Sequence, residues 1–280
     1  MLPAGTEALI DLALKEDLGD GDHTTLATIA SDARGAARLL VKEDGVLAGM
    51  DLAAAICERF DPTLVLKPYL LDGAAVKSGD VAFTLMGSTR SILTIERLVL
   101  NFMQRMSGIA TMTHRFVGAV EGTGCRILDT RKTTPGLRGL EKWAVTMGGG
   151  HNHRHGLYDM FMIKDNHIDH AGGIRNAIEA VQAYQRAHGT TLPVEVETRN
   201  LQEVEAVIAV GGVQRIMLDN FEPIELRKAV AWIGEKLETE ASGGITLKTV
   251  RAFAETGVDF VSVGALTHSA PSLDLSLKAL

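Results

Sequence analysis

The stretch RILDTRKTTPGLRGLEKWAVTMGGGHNHRHGLYDMFMIKDNH, residues 126–167, begins the part of the chain in which strands and helices alternate regularly. It contains seven Lys or Arg residues and four Asp or Glu residues, in a chain whose net charge is −7. Two glycine-bearing runs, 135–136 and 148–150, bring the backbone close to its surroundings. This local positive charge in an acidic chain indicates a site for a small anionic ligand; a solvated basic loop is the alternative.

From this stretch onward, short apolar segments alternate with amphipathic ones. Such alternation predicts parallel strands joined by right-handed helical crossovers. The predicted strands are 126–130, 160–164, 193–197, 214–219, 238–242 and 259–263. The predicted helices between the later strands are 173–187, 201–210, 223–236 and 246–256.

The predicted strands all end in polar residues or glycine. These ends are Asp129 to Lys132, Lys164 to Asn166, Glu195 with Glu197, Asp219 with Asn220, Ser242 to Gly244, and Gly264. In a barrel the carboxyl ends of all strands converge on one mouth, whereas a doubly wound sheet gathers such residues at one switch point. The distribution therefore favours an incomplete α/β barrel of about six parallel strands.

The residues before this region have a different organisation. Strand and turn patterns precede a long helical run at 91–119, whose arginines interrupt an otherwise apolar pattern. We therefore predict two domains. Residues 1–110 form an N-terminal α/β sandwich-like domain, to which the C-terminal tail 269–280 is a candidate addition, and residues 111–268 form the barrel.

Composition excludes several classes of protein. A hydrophobic content of 46% and a charged content of 22% are ordinary for a soluble globular chain. No charge-free run reaches roughly 18 residues, and charges within the first 20 positions are atypical of a signal peptide. Cys57 and Cys125 lie in apolar surroundings without metal-ligand spacing, which predicts reduced thiols and a cytoplasmic location. The negative net charge argues against nucleic acid or a membrane as partner.

Two segments of the N-terminal half have competing interpretations. Asp20, Asp22 and His23 are residue types that bind metals, but Asp-Gly steps are also usual in turns. The run 72–87 resembles a biotinyl- or lipoyl-type β module, which would make the protein a carrier. Lys77 lacks the flanking methionines of such a module.

Two of the strand ends indicate a phosphate site. The turns in EASGGI, residues 240–245, and VSVG, residues 261–264, follow consecutive strands and contain glycine. In barrels this pair of loops commonly binds phosphate through backbone N–H groups. Ordinary strand-to-helix turns are the alternative.

The histidines of the opening stretch have a zinc interpretation. His151, His153 and His155 would lie on one face of a strand, as in the His-x-His pair of barrel hydrolases. Arg154 between them would repel a divalent cation. Carboxylates at the ends of separate strands, as at Glu197, are better suited to bind Mg²⁺ through oxygen.

Eight runs between residues 16 and 269 carry a resemblance to a known family: EDLGDGDHTT, NFMQRMSGIATMT, DTRKTTPGLRGLEKWAV, GGGHNHRHGLYDMFMIKDNHI, VEVET, IMLDNF, EASGGI and GVDFVSVGALTHS. In this order they resemble the successive motifs of the quinolinate phosphoribosyltransferases, also called carboxylating nicotinate-nucleotide pyrophosphorylases. The longest run is highly specific, whereas an isolated SGG would mean little.

The resemblance implies a reaction. Quinolinate would take the phosphoribosyl group of phosphoribosyl pyrophosphate and lose CO₂, giving nicotinate mononucleotide and pyrophosphate in de novo NAD biosynthesis. It also implies Mg²⁺ as cofactor and a homodimer or higher homo-oligomer, with dimer and hexamer both open. The alternatives are a paralogue linked to molybdenum handling and a non-catalytic binder of phosphorylated ligands.

The resemblance also implies roles for individual residues. The quinolinate-binding residues would be Arg97, donated across the subunit interface, with Arg131, Lys132, His153 and Arg154. The residues that bind phosphoribosyl pyrophosphate would be Lys164, Glu197, Asp219, Ser242, Gly243, Gly244, Gly264 and His268. Lys132, Lys164, Glu197 and Asp219 would be catalytic, and the two acids would bind Mg²⁺. Glu195 is the alternative to Glu197, because both lie on one face of the strand.

Overall fold

The computed structural model describes all 280 residues, which form two compact units. The first unit comprises Met1–His114, Thr133–Gly149 and Leu266–Leu280. The second comprises Arg115–Lys132 and Gly150–Ala265. None of the helices is both long enough and apolar enough to cross a membrane.

Helices and strands are numbered here in chain order. The helices are α1 (Thr6–Leu18), α2 (His23–Thr28), α3 (Met50–Phe60), α4 (Thr89–Ala119), α5 (Arg138–Met147), α6 (Asp165–Ala171), α7 (Ile174–His188), α8 (Leu201–Val210), α9 (Pro223–Ile233), α10 (Val250–Ala254) and α11 (Ala265–His268). The strands are β1 (Arg34–Val41), β2 (Gly45–Val46), β3 (Val65–Pro68), β4 (Ala75–Val76), β5 (Val81–Ser88), β6 (Arg126–Leu128), β7 (Phe161–Ile163), β8 (Val194–Thr198), β9 (Arg215–Asp219), β10 (Glu238–Ser242), β11 (Phe260–Ser262) and β12 (Leu275–Ala279).

The first unit contains an antiparallel sheet in the order β12-β1-β5-β3 and a small β2-β4 pair. In β1, Ala37, Leu39 and Val41 are buried while the residues between them are more exposed, which is the period of two of a strand with one buried face. The C-terminal strand β12 pairs with β1. Helix α3 buries one apolar side, as its amphipathic sequence requires.

Helix α4 is 31 residues long and contains Gly108. At this glycine the helix and the backbone near Pro271 approach each other more closely than at any other glycine of the first unit. A Cβ atom at Gly108 would overlap the carbonyl oxygen of Pro271. Glycine is therefore required here to let the segment before β12 lie directly on the helix. Gly148, after α5, has the same relation to the carbonyl of Ala110 in α4.

The second unit contains a six-stranded parallel sheet in the order β6-β11-β10-β9-β8-β7. This confirms the prediction of an incomplete α/β barrel of about six parallel strands. All five residues of β8 are buried, as expected for a parallel strand that is covered on both faces. Beside β6, His151 forms an isolated parallel bridge with Leu128.

Several helices differ from the sequence predictions, among them α2, α6 and α10. Helix α2 lies where a loop was predicted, and the Asp22 side chain accepts a hydrogen bond from the backbone N–H of Thr25, so Asp22 is an N-cap. Helix α6 was not predicted because only Ile168 within it is buried, which leaves no apolar periodicity. Helix α10 has five residues where eleven, 246–256, were predicted. A turn closed by hydrogen bonds between Thr246 and Thr249 precedes it.

Both cysteines are free and buried, as predicted. Burial raises the pKa of the Cys57 thiol to about 12. Burial, together with the nearby charge of Asp259, raises the pKa of Cys125 to about 12 as well. Both thiols therefore remain protonated and unreactive in the folded protein.

Gly108→Ala should lower the free energy of unfolding by about 1–3 kcal/mol, because the new methyl group displaces a backbone carbonyl that cannot rotate away. Gly118→Ala is the matched control. It lies in the same helix with no atom near the added Cβ, so it should be neutral or stabilising by up to about 1 kcal/mol. Urea unfolding followed by circular dichroism measures both variants. Equal stabilities would contradict the proposed backbone contact.

Candidate active site

The second unit brings residues from separate strands to one edge of its sheet, because the strands are parallel and end on the same side. Most of the predicted site residues lie at these ends. Arg131 and Lys132 follow β6, Lys164 follows β7, Glu197 lies in β8, Asp219 ends β9, Ser242 ends β10 and Gly264 follows β11.

Lys164 and Glu197 form an ion pair across neighbouring strands. The Nζ atom of Lys164 donates to Oε2 of Glu197 at 2.9 Å. The lysine side chain is 44% exposed and the glutamate side chain 10% exposed, so the pair lies at the boundary between core and solvent. Lys164 also caps α6, where its backbone N–H donates to Nδ1 of His167. A fixed cation and a fixed carboxylate are thus available side by side.

Asp219 is tied to the glycine turn after β10 through Asn220. The Asn220 side chain donates to Oδ2 of Asp219 at 2.6 Å, and its backbone N–H donates to the carbonyl of Ser242 at 2.9 Å. Asn220 is the one non-glycine residue with positive φ, at 57°. A Cβ atom at Gly243, whose φ is 101°, would overlap the Asn220 amide. Asn220 therefore holds Asp219 and the predicted phosphate turn together, and this arrangement is called the Asp219–Asn220 corner below.

The basic part of the site contains two neighbouring guanidinium groups. Burial lowers the pKa of Arg154, and the positive charge of Arg131 lowers it further. Nε of Arg131 is buried without a hydrogen-bond partner. A buried donor without an acceptor is unfavourable. Together these features describe a pocket prepared for an anion with several oxygens.

His153 lies in the barrel interior beneath these arginines. Its Nε2 atom is 2.9 Å from Glu195 and 3.4 Å from Glu240, and both glutamate side chains are fully buried. The Arg215 guanidinium lies 3.3 Å from Glu240. On the other side of the ring, Nδ1 accepts a 2.6 Å hydrogen bond from the backbone N–H of Arg154. Both ring nitrogens thus have protein partners.

The buried cluster of His153, Glu195, Glu240 and Arg215 balances its own charge. Burial lowers the pKa of His153, but hydrogen bonding to the two glutamates outweighs burial and raises the pKa to about 9. Burial and the charge of Glu240 raise the pKa of Glu195. Burial also raises the pKa of Glu240, but hydrogen bonding from His153 outweighs burial and lowers the pKa overall.

The hydrogen bond from Arg154 requires an unprotonated Nδ1, which describes a neutral His153 ring with its proton on Nε2. The raised pKa of His153 describes the ring with a second proton. The two descriptions differ by one proton, and the raised pKa of Glu195 indicates the second group that can hold it. With that proton on Glu195 and a neutral His153 ring, the cluster carries no net charge, because Arg215 balances Glu240.

The alternative zinc arrangement, in which three histidines share one face of a strand, does not form. His153 is buried, whereas His151 and His155 are exposed, and the ring of His155 lies near Tyr158. Donor atoms of His153, Glu195 and Glu240 do lie within 4.8 Å of one another. The positive charge of Arg215 beside Glu240 opposes binding of a divalent cation there.

The remaining predicted residues are less enclosed. Lys132 is exposed at the end of β6, and Gly264 is half-buried between β11 and α11. Two of the predicted residues belong to the first unit: Arg97 is exposed on α4, and His268, also exposed, ends α11, where its Nδ1 lies 2.7 Å from the hydroxyl of Ser269.

Three residues near the site, two of them buried, were not predicted from the sequence. Asp129 accepts the backbone N–H of His153 at 2.8 Å, Glu240 contacts the His153 ring, and Arg215 balances Glu240. Asp129 was noted only as part of a strand end. Glu240 lies two positions before Ser242 in one strand, so the period of two places both on one face, and this signal could have identified it.

Comparisons with known proteins identify the family of the chain. The family models described as the N-terminal and C-terminal domains of quinolinate phosphoribosyl transferase match residues 22–107 and 109–278. A chloroplastic carboxylating nicotinate-nucleotide pyrophosphorylase of Oryza sativa subsp. japonica is 50% identical over 287 residues, covering 97% of this chain and 77% of the relative. A probable enzyme of the same name from Synechocystis is 44% identical over 268 residues, covering 95% and 89%.

Solved structures give the same result. The crystal structure of NadC from Streptococcus pyogenes has a TM-score of 0.94 at 39% identity, covering 100% of this chain and 99% of that one. The nicotinate-nucleotide pyrophosphorylase from Francisella tularensis has a TM-score of 0.93 at 38% identity, covering 98% and 96%. The resemblance inferred from the motifs is therefore confirmed, and the chain belongs to the quinolinate phosphoribosyltransferase family.

Proposed function

We propose that the protein transfers the phosphoribosyl group of phosphoribosyl pyrophosphate to quinolinate and removes one carboxyl group as CO₂. The products are nicotinate mononucleotide and pyrophosphate, as in de novo NAD biosynthesis. The observation that carries this proposal is the arginine pair: burial and the charge of Arg131 both lower the pKa of Arg154, and Nε of Arg131 is buried without an acceptor. A rigid pyridine dicarboxylate supplies the missing acceptors, since each carboxylate can accept two parallel bonds from one guanidinium.

The reaction needs little acid–base chemistry from the protein. The pyridine nitrogen of quinolinate attacks the anomeric carbon, and the bond from that carbon to the pyrophosphate oxygen breaks. The positive charge of Lys164 stabilises the departing pyrophosphate, and Glu197, held 2.9 Å from Lys164, offsets the positive charge that develops on the sugar. Exposed Lys132, at the end of β6, adds a second cation. Catalysis is then mainly positioning and charge stabilisation.

Decarboxylation follows on the adduct. The bond between the ring and the carboxylate adjacent to the ring nitrogen breaks, CO₂ leaves, and the electron pair stays on the ring carbon beside the cationic nitrogen. A proton from solvent then completes nicotinate mononucleotide. The cationic nitrogen is the main electron sink, and the pocket of Arg131 and Arg154 holds the remaining carboxylate in place.

The sugar phosphate would bind at the opposite strand ends. Ser242, Gly243 and Gly244 offer backbone N–H groups at a turn whose shape depends on Asn220, and Gly264 completes the part of the proposed 5′-phosphate site that lies in the second unit. The donor set of Glu197 and Asp219, two carboxylates, fits Mg²⁺, which binds such oxygens together with substrate phosphates. When bound there, Mg²⁺ would neutralise negative charge on the pyrophosphate.

Oligomeric state and location complete the proposal. Exposed Arg97 on α4 would enter the site of a partner subunit, which makes a homodimer the smallest active form. We place the protein in the cytoplasm, supported by two buried free thiols that suit a reducing compartment. The rice relative is named as chloroplastic, so the family is not confined to one compartment.

Purified protein with quinolinate, phosphoribosyl pyrophosphate and Mg²⁺ should release CO₂ and pyrophosphate in equal amounts. Carboxyl-labelled quinolinate and a coupled pyrophosphate assay measure both products. Turnover of nicotinate in place of quinolinate would overturn the substrate assignment. Tight binding of both substrates without turnover would identify a binding protein instead. Loss of turnover on addition of excess EDTA, and its recovery with Mg²⁺, tests the metal.

Arg154→Ala should raise the KM for quinolinate at least about tenfold, because a bidentate charge-assisted contact is lost, while the KM for phosphoribosyl pyrophosphate changes less than about threefold. Arg186→Ala removes an exposed arginine at the end of α7 and is the matched control. Steady-state kinetics with each substrate varied in turn gives both constants. Equal loss of affinity for both substrates would contradict the assignment of Arg154 to the dicarboxylate.

Mixing inactive Arg97→Ala with inactive Lys164→Ala protein should restore activity, because exchange of subunits creates some sites with neither defect. For random exchange into dimers, about a quarter of the original sites should recover, since half the dimers are mixed and each mixed dimer has one intact site. Native mass spectrometry confirms the exchange. Confirmed exchange without recovered activity would place Arg97 in the site of its own subunit.

A further inference from the structure

The His153 ring has little surface left for a ligand. Its side chain is 5% exposed. Nε2 faces Glu195 and Glu240, and Nδ1 accepts the backbone N–H of Arg154 at 2.6 Å. The backbone N–H of His153 itself donates to Asp129 at 2.8 Å. The His153 ring is therefore a buried part of the barrel. It contacts the neighbouring site residue, Arg154, through the backbone N–H of that residue.

Glu240 contacts two neighbours through one oxygen. Its Oε2 atom lies 3.4 Å from Nε2 of His153 and 3.3 Å from the guanidinium of Arg215. The guanidinium of Arg215 is fixed in turn by stacking on the ring of Phe260, 4.1 Å from its centroid. It also contacts Glu238 at 2.9 Å, but that side chain is 49% exposed and its ion pair is screened by solvent. A continuous line of contacts thus runs from Arg215 through Glu240 and the imidazole ring to the main chain of Arg154.

We propose that Glu240, supported by Arg215, is a positioning residue for the dicarboxylate site: it fixes the His153 ring, and the ring fixes the main chain of Arg154. This inference rests on the proposed function and assigns His153 an action through Arg154 instead of direct binding of quinolinate. The side chain of Arg154 has one further anchor on this segment, the carbonyl of Met160 at 3.3 Å. Without the His153 ring, the main chain of Arg154 would lose this hydrogen bond, and the position of its guanidinium group would be less well defined.

The burial of the Glu240 carboxylate beside the Arg215 guanidinium supports a positioning role for Glu240. Burying a carboxylate and a guanidinium in a barrel core carries a large desolvation cost, and well-packed apolar side chains would stabilise the core as well or better. Charged groups can, however, hold a ring in a single orientation with directional hydrogen bonds. Small displacements of a group that binds the reacting substrate have large effects on rate.

Glu240→Gln keeps the shape of the side chain but removes the charge that faces Arg215 and the imidazole. The KM for quinolinate should rise about tenfold, while the KM for phosphoribosyl pyrophosphate should stay within about twofold. Glu238→Gln is the matched control, because Glu238 lies on the same strand and contacts the same arginine but is 49% exposed and does not contact His153. Its kinetic constants should equal those of the unchanged protein.

Two substitutions of His153 keep the inference testable if Glu240→Gln does not fold. His153→Asn retains an acceptor near the position of Nδ1, within reach of the Arg154 N–H, whereas His153→Gln places its amide near the position of Nε2. The inference expects the Asn variant to keep a quinolinate KM several-fold lower than that of the Gln variant. Equal KM values for these two variants would overturn it.

The outcomes separate the inference from the proposed function. If the unchanged protein does not convert quinolinate, the proposed function fails. If it does, and folded Glu240→Gln behaves like Glu238→Gln, only the positioning role is wrong. A Glu240→Gln variant with a lowered melting temperature but unchanged KM values for both substrates would likewise show that Glu240 is purely structural.

Discussion

The pairing of parallel strands in the second unit is the constraint on which the site depends. Backbone hydrogen bonds fix each strand against its neighbour, so Asp219 of β9 lies opposite Ser242 of β10. A shift of one residue in any strand would turn all its side chains to the other face. The Lys164–Glu197 pair and the Asp219–Asn220 corner exist only in this register. The sheet therefore specifies the chemistry of the mouth as well as the fold.

Depth within the barrel separates two kinds of charge. The interior holds a cluster of His153, Glu195, Glu240 and Arg215 whose charges cancel, as a medium of low dielectric constant requires. Nearer the surface, the guanidinium groups of Arg131 and Arg154 have no such balance between themselves, and burial together with the charge of Arg131 lowers the pKa of Arg154. Anion binding is thus favoured at the mouth and not in the core.

The sequence predicted the parts of this structure that depend on local pattern. Alternating apolar segments located all six barrel strands, and polar residues at the strand ends located the mouth, because both signals lie within a few residues. The sequence pattern could not predict contacts between residues that are distant along the chain. Glu240 was noted only within a glycine turn, and α5, which lies between two barrel strands in the sequence, groups with the first unit, where Glu141 binds Arg105 of α4. Such pairings depend on tertiary packing, which has no local sequence signal.

The two acids of β8 show how position decides function within one motif. Glu195 and Glu197 are two residues apart, so they face the same side of the strand and differ in depth by about 6.6 Å. The deeper acid is fully buried and meets His153 and Glu240, and burial together with the second carboxylate raises its pKa. The shallower acid meets Lys164 at the rim. A fully buried carboxylate that already contacts protein groups is out of reach of ribose hydroxyls or Mg²⁺, so the geometry favours Glu197 for both proposed roles.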